Sequence, residues 1–158
     1  MAQCCKKIVS VLFSIILLIA CDNESAHQTI PFAQVNFTID LNGADYQLKE
    51  PISSKVFYGR RLEADRVGYA GLLVVSDDAG SGIYAFDLCC PVECDRNIRI
   101  EPTDDGKAKC KVCGSVFVTM YGVGNVEQGP SGYKLQRYGV SEVRPGVFNI
   151  FNNFYSNH

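Results

Sequence analysis

Five of the eight cysteines fall between residues 89 and 113. Thiolates are soft metal ligands, and two close pairs on separate turns are what a tetrahedral thiolate site requires. Cys90 and Cys94 form a Cys-x3-Cys pair. After a gap of fifteen residues, Cys110 and Cys113 form a Cys-x2-Cys pair followed by Gly114, which permits a tight turn. The pattern fits iron with sulfide, zinc, or two disulfides such as Cys94 with Cys113. Cys89 adjoins Cys90, and neighbouring side chains in an extended segment point to opposite faces. Only one of that pair can serve a shared site, so Cys89 is expected as a packed core thiol.

Other chemistry is poorly provided for. The chain has no Trp and two histidines, His27 and His158, both near the edges of the folded region. No nucleophile–base pair, glycine-rich phosphate loop or spaced carboxylate pair stands out, so an enzyme is not expected.

The N-terminus sets the compartment. Lys6 and Lys7 precede an apolar run over 8–20, shaped like the h-region of a secretory signal and short for a membrane span. It closes with Leu18-Ile19-Ala20-Cys21, which resembles the lipobox of bacterial lipoproteins. That resemblance implies a signal peptide over 1–20, loss of Cys4 and Cys5 with it, and a lipidated Cys21. The protein would then be anchored in the bacterial cell envelope, on the periplasmic or cell-surface side. Residues 21–34 then form the lipidated cysteine and its flexible tether. Beyond residue 20 there are 13 basic and 17 acidic residues, a net charge of −4, and nothing points to nucleic acid.

The elements that must position the cysteines read as short strands. Residues 35–158 are one domain's worth of chain. Val35, Phe37, Ile39 and Leu41 alternate with polar residues, and Asn42-Gly43 leads towards a second strand at 46–48, predicting a hairpin. Residues 51–66 show no clean period and read as loop with room for one strand. The apolar runs 71–75 and 83–88 flank a turn cluster and deliver the chain to Cys89. Ile98 and Ile100, the turn Asp104-Asp105-Gly106, and 107–112 give a further hairpin; 117–120, 133–140 and 147–151 complete an all-β chain. Lys107, Lys109 and Lys111 share one face, either a solvated outer surface or a dock for an acidic partner. Phe148, Ile150, Phe151, Phe154 and Tyr155 are expected to pack a final strand.

These segments carry a resemblance. Ile83-Tyr84-Ala85-Phe86-Asp87-Leu88-Cys89-Cys90-Pro91 resembles the approach to the first cluster loop of Rieske iron–sulfur proteins. Cys110-x2-Cys113-Gly114-Ser115-x-Phe117, then Gly124-x-Val126-x2-Gly129-Pro130, then Leu135, Tyr138 and Val140, resembles that family's second loop, glycine-proline loop and return strands. The likeness runs over about residues 70–151. It implies a β-sandwich bearing a small two-loop cluster-binding lobe, over about 84–132, and an electron-transfer role with an unidentified redox partner.

Carried across position by position, the family's cysteine ligands are Cys90 and Cys110, and its histidine positions are Val92 and Cys113. Valine ligates nothing, so a histidine-ligated centre is excluded. An all-cysteine 2Fe-2S cluster needs Cys94 to take the place left by Val92, with Cys113 in the other; its potential would fall by a few hundred millivolts. Ser115 matches the serine that hydrogen-bonds a cluster sulfur, although after Gly114 it equally suits a turn cap. Phe117 stands where a tyrosine donor is often found. Gly129-Pro130 matches the loop that covers the cluster, and also the chemistry of any tight turn. Zinc, disulfides or an empty site remain open, on a structural or partner-binding domain.

Overall fold

The computed structural model describes residues 30–152. The expected signal segment over 1–20, Cys21, His27 and the terminal Phe154, Tyr155 and His158 lie outside the described residues. The fold is all-β. Strand β1 (Val35–Asp40) alternates buried Val35, Phe37 and Ile39 with exposed Asn36 and Thr38. It belongs to a seven-stranded sheet with β2 (Ser54–Phe57), β3 (Arg66–Val67), β4 (Leu72–Ser76), β5 (Ile83–Asp87), β10 (Arg137–Arg144) and β11 (Val147–Phe151), in the order β2-β4-β5-β10-β11-β1-β3. This sheet curls. Phe37 near one edge meets Phe57 at the other with ring centroids 4.7 Å apart, and the Arg61 guanidinium lies over both rings.

The second strand expected at 46–48 is instead a 3-10 turn, Tyr46–Lys49. β11 fills one edge of β1 along 36–40 while β3 reaches only 35–36 on the other, where the Arg61 guanidinium takes the Thr38 carbonyl; the Leu48 N–H closes on the Asp45 carbonyl instead of pairing with β1. The turn is pinned by buried Asp45, which accepts the Asp40 N–H and pairs with Lys55 at 3.0 Å and Arg61 at 2.9 Å. Burial alone would raise this carboxyl, but the Asp40 N–H and the two cations hold it below the ordinary carboxylate range. The stretch 51–66 does contain one strand, β2, only partly buried until Phe57. That half-exposed edge explains its unclear period.

The apolar run at β4 has a structural cause. Leu72 and Val74 face the core inside the curled sheet, with Phe37, Ile39, Leu48 and Ile150. Leu73 and Val75 face a second core with Phe86, Leu88, Ile100, Phe117 and Leu135. A strand covered on both faces has no polar side to alternate with. The second core is closed by an antiparallel four-stranded sheet, β6 (Ile100–Pro102), β7 (Lys107–Cys110), β8 (Val116–Val118) and β9 (Asn125–Gln128), inserted between β5 and β10. All five described cysteines lie in this lobe or on the approach to it.

The lysine face is solvated and internally neutralised. Lys107 pairs with Asp105 and Glu127 at 3.1 and 2.9 Å, and Lys111 with Glu101 at 2.6 Å, leaving Lys109 exposed between them. Such exposed pairs contribute about 0–1 kcal/mol each. Among the described residues no helix is long and apolar enough to cross a membrane.

Candidate metal centre

The first cysteine loop leaves β5 through Asp87, a buried carboxylate at the strand end. Its oxygens accept the Tyr138 O–H at 2.6 Å and the N–H groups of Tyr69, Ala70 and Cys89 at 2.7, 3.2 and 2.7 Å. Burial raises this carboxyl above the usual range, while the four donors pull the other way. One side chain thus ties β5, the 68–70 turn, β10 and the start of the loop together. Cys89 and Cys90 are then held extended, Cys89 bridging Arg99 and Cys90 donating its N–H to Ile98. As expected, the two side chains part. Cys89 is fully buried with its thiol against the Cys90 and Asp95 carbonyls, and burial pushes it up to about 12.

Cys90 turns into the site. β7 brings Cys110 to the same place, and the following tight turn adds Cys113. The Sγ atoms of Cys90, Cys110 and Cys113 all lie within 4.8 Å of one another, with Cys90 and Cys113 3.6 Å apart. Three nearby thiols at this spacing can hold a metal ion. The edge of a tetrahedron with metal–sulfur bonds near 2.3 Å is about 3.8 Å, so the observed pair sits close to single-ion geometry. Cys90 and Cys110 are buried and Cys113 is half-buried, so the triad opens to solvent only on the Cys113 side.

Cys94, the expected fourth thiolate, does not join this group. It closes the first loop with a positive φ of 50°, donates its N–H to the Cys90 carbonyl, and aims its thiol at the Pro91 carbonyl 3.3 Å away. Its Sγ is not within 4.8 Å of all three others. The five described cysteines are free thiols, and the Cys94–Cys113 disulfide is not formed. Val92 packs at the edge of the second core, as its inability to ligate requires.

The triad is electrostatically uneven. Burial pushes the Cys90 thiol up to about 12, with Cys110 and Cys113 adding to it against donation from the Glu93 and Val92 N–H groups. Burial also raises Cys113, but the Ser115 hydroxyl and N–H, with Cys90 and Cys110, outweigh it and leave this thiol below its ordinary value. Cys113, half-buried and with its thiol held below the ordinary value, is therefore the more readily ionised of this pair when no metal is bound. Limiting iodoacetamide at neutral pH is expected to alkylate Cys113 before Cys90, read by peptide mass spectrometry. Earlier labelling of Cys90 would contradict the assignment.

Ser115 stands beside the triad, and the glycine-proline loop reaches it through Gly129. Ser115 is fully buried, its Oγ 3.2 Å from Cys113 Sγ, and it accepts the Ser131 N–H at 3.1 Å. Gly129 lies directly on it at φ +100°, where a Cβ would stand 2.5 Å from Ser115 Cα, a clash with backbone. Gly129 thus packs directly on Ser115, and β10 begins at Arg137 rather than at the expected 133. Gly129→Ala is expected to lower unfolding free energy by about 2 kcal/mol or more, from left-handed strain plus displacement of Ser115. A denaturant midpoint unchanged from the parent chain would count against this packing. Phe117 is buried in the second core and offers the sulfurs no donor.

Asp87 and Ser131 were not foreseen as supports of the site. A lone acid closing the otherwise apolar 83–88 strand was the available signal for Asp87, because an ionisable side chain rarely sits among apolar neighbours without several partners. Ser131 carried no such signal, since a serine after Gly-Pro is ordinary turn chemistry. The chain matches no protein-family profile, no characterised protein sequence and no solved structure.

Proposed function

We propose that this is a Rieske-like domain in which Cys90, Cys110 and Cys113 hold one metal ion, zinc foremost, that stitches the two loops of the lobe into a fixed, partner-binding surface outside the cytoplasm. The convergence of the three Sγ atoms within 4.8 Å carries the reading. Two features support a resident ion over a simple thiol cluster. The turn after each leading cysteine has the knuckle form: the Val92 and Glu93 N–H groups face Cys90 Sγ, and the Gly114 N–H closes on the Cys110 carbonyl at 3.0 Å. The site is also closed on the protein side, as structural thiolate sites are. Bound zinc would supply folding free energy to the lobe and no redox chemistry. Attachment to a bacterial membrane through a lipidated Cys21 follows from the N-terminal pattern and belongs to the same proposal.

The second reading, electron transfer by a cysteine-ligated 2Fe-2S cluster, is favoured by one observation. The buried Ser115 hydroxyl 3.2 Å from Cys113 Sγ is the kind of support that tunes an iron–sulfur centre. Elemental analysis with a visible spectrum, on the full chain purified in detergent without oxygen, separates the two. One zinc or one iron per chain without labile sulfide supports the mononuclear site. Two irons with two sulfides and visible charge-transfer bands would replace it with the cluster, and no metal at all would remove both.

A further inference from the structure

We infer that Glu93, and not Cys94, supplies the fourth ligand of the centre, making it a Cys3Glu site for a borderline divalent ion. The inference rests on the mononuclear reading above and concerns the coordination position that the triad leaves open.

The two loops are built alike. In the first, Cys90 is followed by Pro91, Val92, Glu93 and Cys94; in the second, Cys110 is followed by Lys111, Val112, Cys113 and Gly114. Each is a single turn closed by the same bond, from the N–H of the fifth residue to the carbonyl of the first, 3.0 Å in both. Each fifth residue is left-handed, Cys94 at φ 50° and Gly114 at φ 77°. Cys94 is therefore the counterpart of the turn-closing glycine, and Glu93 the counterpart of Cys113.

Position within the turn decides what a side chain can reach. The first and fourth residues of such a turn project to one side, and that is how Cys110 and Cys113 come together with Cys90. The first and fifth do not, and Cys94 accordingly turns its thiol back to the Pro91 carbonyl. Glu93 is partly exposed, and no hydrogen bond or ion pair holds its carboxylate among the described residues. The carboxylate lies outside the 4.8 Å cluster, so ligation calls for a rotamer change at a side chain that no hydrogen bond or ion pair from a described residue restrains. Carboxylate oxygen is an ordinary zinc ligand, and its single negative charge matches that of the thiolate it replaces.

Cobalt(II) reports thiolate number through its sulfur-to-metal charge-transfer band and tetrahedral geometry through its visible bands. The full chain would be titrated with cobalt(II) in detergent without oxygen, alongside Glu93→Ala, Glu93→Cys and Cys94→Ser. Glu93→Ala is expected to weaken cobalt binding about tenfold or more, and Glu93→Cys to raise the charge-transfer intensity by about a third, from three thiolates to four. Cys94→Ser is expected to change neither quantity. Loss of about a quarter of the band in Cys94→Ser would show Cys94 as the fourth of four thiolates and overturn the inference. Unchanged affinity in Glu93→Ala would overturn it in favour of a solvent ligand. A parent chain that takes up no cobalt would instead remove the mononuclear reading itself.

Discussion

Replacing Cys110 by serine is expected to abolish stoichiometric metal binding, with affinity falling by more than the roughly 100-fold that loss of even a supporting residue can cost. Cys110 is the best-fixed member of the triad. It ends β7, is fully buried, donates its N–H to the Ser115 carbonyl at 2.9 Å and accepts the Gly114 N–H at 3.0 Å. A serine there keeps the turn and the volume nearly unchanged but offers a hydroxyl that does not ionise, so the fold survives while the ligand is lost. The effect should therefore separate into two measurements. Metal content falls to background, and the thermal midpoint of the variant matches that of the parent chain after chelation. If binding stabilises the loaded chain by mass action, ligand at a thousand times the dissociation constant adds about 4 kcal/mol, and the variant forfeits that increment. Retained stoichiometric metal in Cys110→Ser would refute the triad as the site.

The other large effect is on stability. Asp87→Ala is expected to lower unfolding free energy by about 3–5 kcal/mol, a large share of the roughly 5–15 kcal/mol of a typical domain. The cause is the loss of one acceptor for four donors. The Tyr138 O–H and the N–H groups of Tyr69, Ala70 and Cys89 would be left unsatisfied in a buried place, and each such group costs about 1–3 kcal/mol where water does not reach it. Water entering the vacated space offsets part of that sum, which is why the expected total is below the simple addition. Asp87→Asn keeps one acceptor oxygen but turns an NH2 towards donors, so an intermediate loss is expected. Urea unfolding followed by circular dichroism measures both. A shift within about 0.5 kcal/mol for Asp87→Ala would mean that the hub does not hold the fold. Because Cys89 is one of the four donors and adjoins Cys90, Asp87→Ala should also loosen metal binding, whereas Cys110→Ser should leave the base of the fold intact.

What was legible in the sequence follows from how each signal arises. β1 and β11 were readable because each alternates or concentrates its apolar residues against a single core, and β5 because an apolar run leads straight into the cysteines. The strand forecast at 46–48 failed because local turn chemistry cannot reveal that Arg61, distant in the chain, takes the Thr38 carbonyl on the open edge of β1 and with Lys55 ties down Asp45. At the site, Cys90, Cys110 and Cys113 could be named from motif and flanks alone. That Cys94 stands apart from the three close thiols has a one-residue cause. Spacing by cysteine type pairs Cys90 with Cys94, but the turn that forms puts the fifth residue in the left-handed region and turns the Cys94 thiol back to the Pro91 carbonyl. Cys94 is a non-glycine residue where glycine is the usual choice, a conformation that composition does not announce. Ser115 was ambiguous in sequence for a related reason, since a serine after glycine suits both a turn cap and a sulfur partner. Its full burial and its contacts with Cys113 and Ser131 distinguish the two.

X-ray absorption at the metal edge, on the full chain purified with its native metal, tests the central claim most directly. One metal per chain is expected, with about three sulfurs near 2.3 Å, one lighter ligand near 2.0–2.2 Å and no metal–metal scattering. Two irons with a short iron–iron vector, or a chain without bound metal, would contradict it.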